Sequence, residues 1–364
     1  MSLSLILLVI GLVLLIGGAE LLVRGASNLA AALGISRLVI GLTVVAFGTS
    51  SPEIAVSVQP AMAGQANLAI GNLIGSNIFN ILFILGISAV ITPLIVSQQL
   101  IRFDVPVMIG ATVVVLLLGL DAHYGSFDAA VLLLLLVIYL GLLLRFSRNE
   151  PEAAGEELHP PSGASGWILN VVLVVIGLAL LVWGSRWLVA GALDIAKALG
   201  VSELIIGLTI VAAGTSLPEV ATSVIAALRK QRDIAVGNVI GSCIFNVLAV
   251  LGVASFVAPG GIPLHRAVLA FDIPIMIAVS VAAWPIFWSS KVISRGEGVL
   301  FLFYYVAYTS YLILQAAQHD ALPEFSSVLL FFVGPVTLMI ALMVALRTRR
   351  DRELHGMQRA PKPR

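Results

Sequence analysis

The chain has 364 residues, of which 60% are hydrophobic and only 11% charged, with a mean hydropathy of +1.09 and a formal net charge of +1. That composition excludes a water-soluble globular fold and predicts an all-α polytopic protein in a lipid bilayer. The single cysteine, Cys243, excludes an internal disulfide and a cysteine metal cluster, and five scattered histidines argue against a histidine metal site.

A span takes about 20 apolar residues. On that measure eleven helices are predicted, over Leu3–Val23, Leu38–Pro60, Leu68–Val90, Val105–Leu120, Ala129–Leu144, Trp167–Trp187, Leu204–Leu228, Ile234–Val257, Val268–Trp288, Val299–Leu314 and Val328–Leu346. Met1-Ser2-Leu3 runs straight into apolar sequence with no basic lead-in and no small-residue cleavage site, so it reads as the first span and not as a removable signal. The only long polar connector runs from Arg145 to Gly166 and reads as a flexible linker. The predicted organisation is a first transmembrane repeat over 1–146, a cytoplasmic linker over 147–166, a second repeat over 167–318, an extra helix over 319–346 and a basic tail over 347–364.

Lysine and arginine placement predicts the orientation. Loops after the odd-numbered spans, with the tail, carry 17 of these residues; the opposite side carries Arg186, Lys197 and Arg266. The richer side is expected to be cytoplasmic in a plasma (inner) membrane, with the N-terminus outside and the C-terminus inside.

An internal repeat organises the core. At an offset of 166 residues, Gly41–Ser57 matches Gly207–Ser223 at 12 of 17 positions, and Gly71–Asn80 matches Gly237–Asn246 at 8 of 10. Each unit holds five predicted spans, an odd number, so the two must lie upside down relative to one another. Two inverted five-helix repeats, a ten-helix core plus one extra C-terminal helix, is an architecture of secondary transporters.

The repeated motifs carry the chemistry. Glu53 and Glu219 are carboxylates inside apolar spans, and such groups are costly unless they serve a site. Thr49 and Ser50 are spaced to neighbour Glu53 on one helix face, and Thr215 and Ser216 to neighbour Glu219. Pro52 and Pro218 lack an N–H, which frees a backbone carbonyl one turn earlier. In the next span of each half, Asn72, Ser76 and Asn80, and Asn238, Ser242 and Asn246, form polar stripes. Two carboxylates with hydroxyls, amides and carbonyls form an all-oxygen set suited to hard cations such as Ca²⁺ or Na⁺.

Other polar residues read as structural. Asn72 and Asn238 read as helix–helix hydrogen-bond partners, and the Gly71/Gly75 and Gly237/Gly241 pairs as close-packing positions. Asp104 and Asp272 read as helix N-caps, Glu20 and Arg24 as an i,i+4 ion pair, and Cys243 as a small packing residue.

The paired Gly-Thr-Ser-x-Pro-Glu and Gly-Asn-x-Ile-Gly-Ser-x-Ile-Phe-Asn motifs resemble the two alpha repeats of the calcium/cation antiporter superfamily, and are most similar to its prokaryotic sodium/calcium exchangers. The resemblance spans roughly Leu3 to Leu314. It implies that Glu53, Glu219, Thr49 and Thr215 bind Ca²⁺. Sodium ions would add Ser50, Ser216, Ser76, Ser242 and the carbonyls of Ala46 and Ala212. Asn80 and Asn246 would line the centre, where some relatives carry Asp in one half; this departure argues against the potassium-dependent type. The resemblance implies no enzyme activity, no catalytic residue and no cofactor, only transported Ca²⁺ and Na⁺ with H⁺ as a competitor. Nucleic acid is not an expected partner, and the sequence does not set the oligomeric state. The expected mechanism is alternating access, with the first and sixth spans sliding over the core. Exchange of Ca²⁺ or another divalent cation for H⁺ is the alternative, and a cation channel would also place carboxylates along its path.

Overall fold

The computed structural model describes residues 2–147, 163–199, 212–319, 321–328 and Gly334. Most of the long connector (148–162), the first part of the seventh predicted span and all but Val328 and Gly334 of the eleventh lie outside the described residues.

The described chain is helical, apart from four two-residue strands. In order it forms α1 (Ser2–Leu33), α2 (Arg37–Thr49), α3 (Ser51–Met62), α4 (Leu68–Ile91), β1 (Leu94–Ile95), α5 (Leu100–Asp121), β2 (His123–Tyr124) and α6 (Ser126–Ser147). The second half adds α7 (Gly163–Ala198), α8 (Leu217–Leu228), α9 (Arg232–Val257), β3 (Ile262–Pro263), α10 (Val268–Trp288), β4 (Val292–Ile293), α11 (Arg295–Ala316) and α12 (Leu322–Val328). Among the described residues, eight helices are long and apolar enough to cross a membrane, and the bent pair α2–α3 makes a ninth. α8 carries the described part of the seventh span.

Polarity is inverted relative to a soluble fold. Large apolar side chains such as Leu5, Val9, Val13, Leu134 and Val137 face outward, while Glu53, Glu219, Asn80, Asn246, Ser76 and Ser242 are buried. The helices that carry the polar stripes are the innermost: α9 is 89% buried over its apolar window and α4 72%, against 22% for α6.

The two longest helices lie against each other antiparallel. At about 1.5 Å per residue the 32-residue α1 is about 48 Å long, more than the hydrocarbon core requires. Glycines recur every seven residues on both partners, at Gly11, Gly18 and Gly25 on α1 and at Gly177, Gly184 and Gly191 on α7. A Cβ on Gly18 would lie 2.8 Å from the Gly177 carbonyl oxygen, and one on Gly184 2.8 Å from that of Gly11. The backbones therefore touch along the whole seam. Each end is closed by a polar pair: Ser4 Oγ donates to Asp194 Oδ2 at 3.3 Å, and Asn28 Nδ2 donates to Asn170 Oδ1 at 2.9 Å. These pairs are equivalent under the repeat, since Ser4 corresponds to Asn170 and Asn28 to Asp194.

The halves are also stitched by strands. β1 pairs antiparallel with β4, and β2 with β3, so each ladder joins one half to the other.

Three structural expectations are corrected. Asp104 and Asp272 do not cap their helices. Their backbones are already helical, each closing a π-helical turn (Leu100–Asp104 and Val268–Asp272), and neither side chain makes a capping bond. The α5 helix starts earlier, where Ser97 Oγ accepts from the Leu100 N–H at 3.1 Å, so Asp104 is left facing the core. There it accepts from Tyr139 Oη at 3.1 Å and from Gln99 Nε2 at 3.3 Å. Glu20 pairs with Arg229 at the end of α8 and not with Arg24, because packing of α1 on α8 brings that guanidinium alongside. Finally, the hydroxyls beside each glutamate do not serve that glutamate, as the site shows.

Candidate functional site

Each half breaks its motif helix just before the glutamate. Ser50 (φ −80°, ψ 7°) and Ser216 (φ −91°, ψ 10°) leave helical geometry, and Pro52 and Pro218 open the next helix. A proline there needs no N–H partner, so it starts a helix without cost. The α2–α3 axis bends by 45° at this point. Glu53 and Glu219 fall in the first turns of α3 and α8, where an anionic group is favoured by the helix dipole.

The break re-aims the hydroxyls across the molecule. Ser50 Oγ donates to Glu219 Oε1 at 3.0 Å, and Ser216 Oγ donates to Glu53 Oε1 at 2.8 Å. Each carboxylate is thus held by a serine of the opposite repeat. Ser216 Oγ also lies within hydrogen-bond distance of Ser76 Oγ, at 3.2 Å, and Ser242 Oγ reaches Glu219 Oε1 at 3.5 Å. All six residues are buried to within 1% exposure, so these bonds form away from water, where an unpaired group is expensive.

The threonines follow the same crossed rule. Thr49 Oγ1 donates to Asn238 Oδ1 at 3.0 Å and stands beside Glu219; Thr215 Oγ1 donates to Asn72 Oδ1 at 3.2 Å and stands beside Glu53. The amides of those asparagines continue inward: Asn72 Nδ2 donates to Ser57 Oγ and Asn238 Nδ2 to Ser223 Oγ, both at 3.0 Å. Asn72 and Asn238 are therefore interhelical partners, as expected, but ones that orient the site's threonines. Ser57 and Ser223, one turn beyond each glutamate, were missed by the sequence reading. Their signal was available, because both sit at the glutamate position plus four in both repeats.

The remaining candidates are placed as follows. Asn80 and Asn246 are fully buried one turn beyond Ser76 and Ser242, and each opens a π-helical turn, Asn80–Ile84 and Asn246–Val250. Such single turns recur at functional sites because they displace the helix ladder locally. The Ala46 carbonyl keeps its helical partner, accepting from the Ser50 N–H at 3.0 Å, and one of its lone pairs remains open. Ala212 heads the three-residue helix Ala212–Gly214, and the chain just before it lies outside the described residues.

Packing fixes these elements closely. A Cβ on Gly241 would lie 2.7 Å from that of Ala46, and one on Gly237 would lie 2.9 Å from the Leu38 carbonyl oxygen. The second Gly-x-x-x-Gly pair thus seats α9 directly on α2. Most of the segment equivalent to α2 in the second half, residues 203–211, lies outside the described residues.

Among the described atoms, the second carboxylate oxygens of Glu53 and Glu219 and both amide atoms of Asn80 and Asn246 have no hydrogen-bond partner. Buried polar atoms are normally satisfied, so a cluster of orphaned oxygens calls for a cationic ligand. Two carboxylates buried in one dry interior need neutralising, by a cation or by a proton. Among the described residues no three His, Cys, Asp or Glu side chains gather, so the donor set is two carboxylates plus neutral oxygens. That set suits Ca²⁺ or Na⁺ better than a soft metal.

Known proteins resemble this chain over most of its length. The family described as "Sodium/calcium exchanger protein" matches residues 3–145 and 169–314. The chain is 40% identical over 293 residues to the putative antiporter CaxA of Alkalimonas amylolytica, covering 78% of this chain and 90% of that one. It is 36% identical to inner membrane protein YrbG of Escherichia coli K12 (82% and 94% covered) and 29% identical to the sodium/calcium exchanger MaX1 of Methanosarcina acetivorans (85% and 98%). A solved structure of the sodium-calcium exchanger NCX_Mj, soaked with 10 mM Na⁺ and zero Ca²⁺, superimposes with a TM-score of 0.73 at 33% identity, covering 84% of this chain and 97% of that one. The chain belongs to the sodium/calcium exchanger family and has its inverted-repeat membrane fold.

Proposed function

We propose that this member of the sodium/calcium exchanger family is a secondary active antiporter that exchanges Ca²⁺ for Na⁺ by alternating access. The observation that carries the reading is the crossed pair of hydrogen bonds, Ser50 to Glu219 and Ser216 to Glu53. An ion drawing on both carboxylates also draws the two repeats together, and Ca²⁺ and Na⁺ must use the same oxygens. Occupancy by one excludes the other, which is what couples their movements.

In this reading Glu53, Glu219, Thr49 and Thr215 bind Ca²⁺. Na⁺ uses the same carboxylates with Ser50, Ser216, Ser76, Ser242 and the carbonyls of Ala46 and Ala212, while Asn80 and Asn246 line the centre. Protons compete for the same two carboxylates. The glycine seam holds α1 and α7 against each other, so that they slide across the core as a pair.

The membrane is the plasma (inner) membrane, with the N-terminus outside and the linker and basic tail inside. The 17-to-3 distribution of lysine and arginine supports this, as does the name of the Escherichia coli relative. A membrane-impermeant maleimide, applied to intact cells carrying single cysteines in a Cys243→Ala background, should label position 125 and spare position 294. The reverse pattern overturns the orientation.

The transport test is Ca²⁺ uptake into proteoliposomes with and without an outward Na⁺ gradient. Uptake should require the gradient and be lost in Glu53→Gln and Glu219→Gln. Uptake that follows a pH gradient and ignores Na⁺ would assign proton exchange instead. Flux with no counter-ion at all would assign a channel.

A further inference from the structure

We propose that the end of the bundle where β1 meets β4 carries a binding site for a phosphate-bearing anion, of the kind presented by an anionic lipid headgroup. A cavity of about 260 Å³ opens there, lined by Gln98, Ile101, Arg102, Trp288 and Lys291. It holds two cationic side chains, an amide and an indole. Neither Arg102 nor Lys291 forms an ion pair among the described residues. The carboxylate nearest in sequence, Asp104, is turned into the core and occupied by Tyr139 and Gln99.

The walls are fixed. Arg102 comes from the first half, and Trp288 and Lys291 from the second. Trp284 Nε1 donates to the Ile101 carbonyl at 3.1 Å, which ties the two halves together beside the cavity. The Val96 N–H donates to the Lys291 carbonyl at 2.8 Å, extending the β1–β4 ladder. Lys291 itself holds a left-handed turn (φ 55°) between α10 and β4, so its position is set by backbone on both sides.

Gene duplication does not reproduce the pair. At the offset of 168 that relates Asp104 to Asp272, Arg102 corresponds to Ala270, Lys291 to His123 and Gln98 to Arg266. The opposite end of the bundle thus offers one arginine with an alanine and a histidine, and that histidine is engaged with the Gly260 carbonyl at 2.6 Å. The arginine–lysine pair belongs to the β1–β4 end.

Depth and chemistry name the ligand class. The cavity lies at the end of α10, a helix long and apolar enough to cross a membrane, where Trp284 and Trp288 form an edge-to-face pair; tryptophan is enriched at such span ends because it suits the headgroup region. A guanidinium offers a planar fork and an ammonium a compact charge, and together they suit the several oxygens of a phosphate monoester. The indole would cover the glycerol or acyl portion. The site does not depend on which ions the protein transports.

The test uses the purified full-length protein in neutral detergent micelles, titrated with brominated phosphatidic acid or brominated phosphatidylcholine while tryptophan fluorescence is read. Phosphatidic acid should quench saturably at about tenfold lower concentration than phosphatidylcholine, the preference expected of two cations near a headgroup. Arg102→Gln combined with Lys291→Gln should abolish the preference. Each substitution is also read singly, so that poor folding of the pair leaves two readings. Inorganic phosphate that displaces the lipid supports the site with free phosphate as a second source; phosphate that does not displace it supports the headgroup as the source. Equal affinity for both lipids, or a preference unchanged in all three variants, overturns the proposal.

Discussion

The thiol of Cys243 faces the backbone carbonyl of Asn77 at 3.9 Å, and these two residues occupy the same position in the two repeats. Equivalent residues that touch each other lie beside the pseudo-twofold axis, as in an isologous interface. Their neighbours in sequence, Ser76 and Ser242, therefore flank that axis, and so do the glutamates they approach. The contact explains why a site built from two distant motifs is a single site.

Asn77 and Cys243 are both buried at the axis. Cys243→Asn would restore the residue of the first repeat but add a polar group next to Asn77, whose own Oδ1 has no partner. It should lower the stability of the detergent-solubilised protein by about 1–3 kcal/mol, whereas Cys243→Ala should cost less than about 1.5 kcal/mol. Thermal unfolding of both variants checks the order.

The crossed serines predict an unusual pattern of coupling. Ser216→Ala removes a charge-assisted bond to Glu53, and Ser50→Ala removes one to Glu219. In double-mutant cycles on Ca²⁺ affinity, Ser216→Ala with Glu53→Asp should show a coupling of about 1–2 kcal/mol. The sequence-adjacent combination, Ser50→Ala with Glu53→Asp, should couple less. Isothermal titration of the purified variants distinguishes the two, and stronger coupling for the adjacent pair would refute the crossed arrangement.

The glycine seam predicts sensitivity confined to one helix face. Gly18→Ala or Gly184→Ala forces a Cβ to within 2.8 Å of a facing carbonyl oxygen, whereas a Cβ on Gly17 meets nothing within 4 Å. The first two should each cost about 1–3 kcal/mol and slow exchange. Gly17→Ala should be neutral or slightly stabilising, since alanine is the better helix former by up to about 1 kcal/mol. Unfolding midpoints and initial transport rates, measured side by side, decide this.

Asp104 is a buried acid that depends on Tyr139 and Gln99. Tyr139→Phe keeps the ring, including its stacking on Phe103 at 6.0 Å, and removes only the donor. It should destabilise by about 1–3 kcal/mol, the cost of leaving a buried acceptor short of a partner. Asp104→Asn together with Tyr139→Phe should be less damaging than the two single effects added, and thermal unfolding of the three variants reads that difference.

Much of this was legible in the chain. Hydropathy located the spans because lipid imposes one requirement on every exposed helix face. The offset of 166 and the odd span count predicted inverted repeats, and Glu53 and Glu219 marked the two motifs that the structure buries together. The second Gly-x-x-x-Gly pair was readable as a close-packing position, and it is one.

Partners were not legible in the same way. Spacing along a helix reports which residues share a face, and on that measure Ser50 belonged with Glu53 and Glu20 with Arg24. The structure gives Ser50 to Glu219 and Glu20 to Arg229. The first exchange arises because the break at Ser50 turns the hydroxyl away from its own helix. The second arises because α1 lies against α8. Asp104 likewise became a core residue when the helix began a turn earlier than the proline suggested. The sequence by itself determined which groups enter the membrane and that they come in pairs. Only the docking of one repeat on the other decided which carboxylate each hydroxyl serves, because that choice depends on contacts between residues more than 160 positions apart.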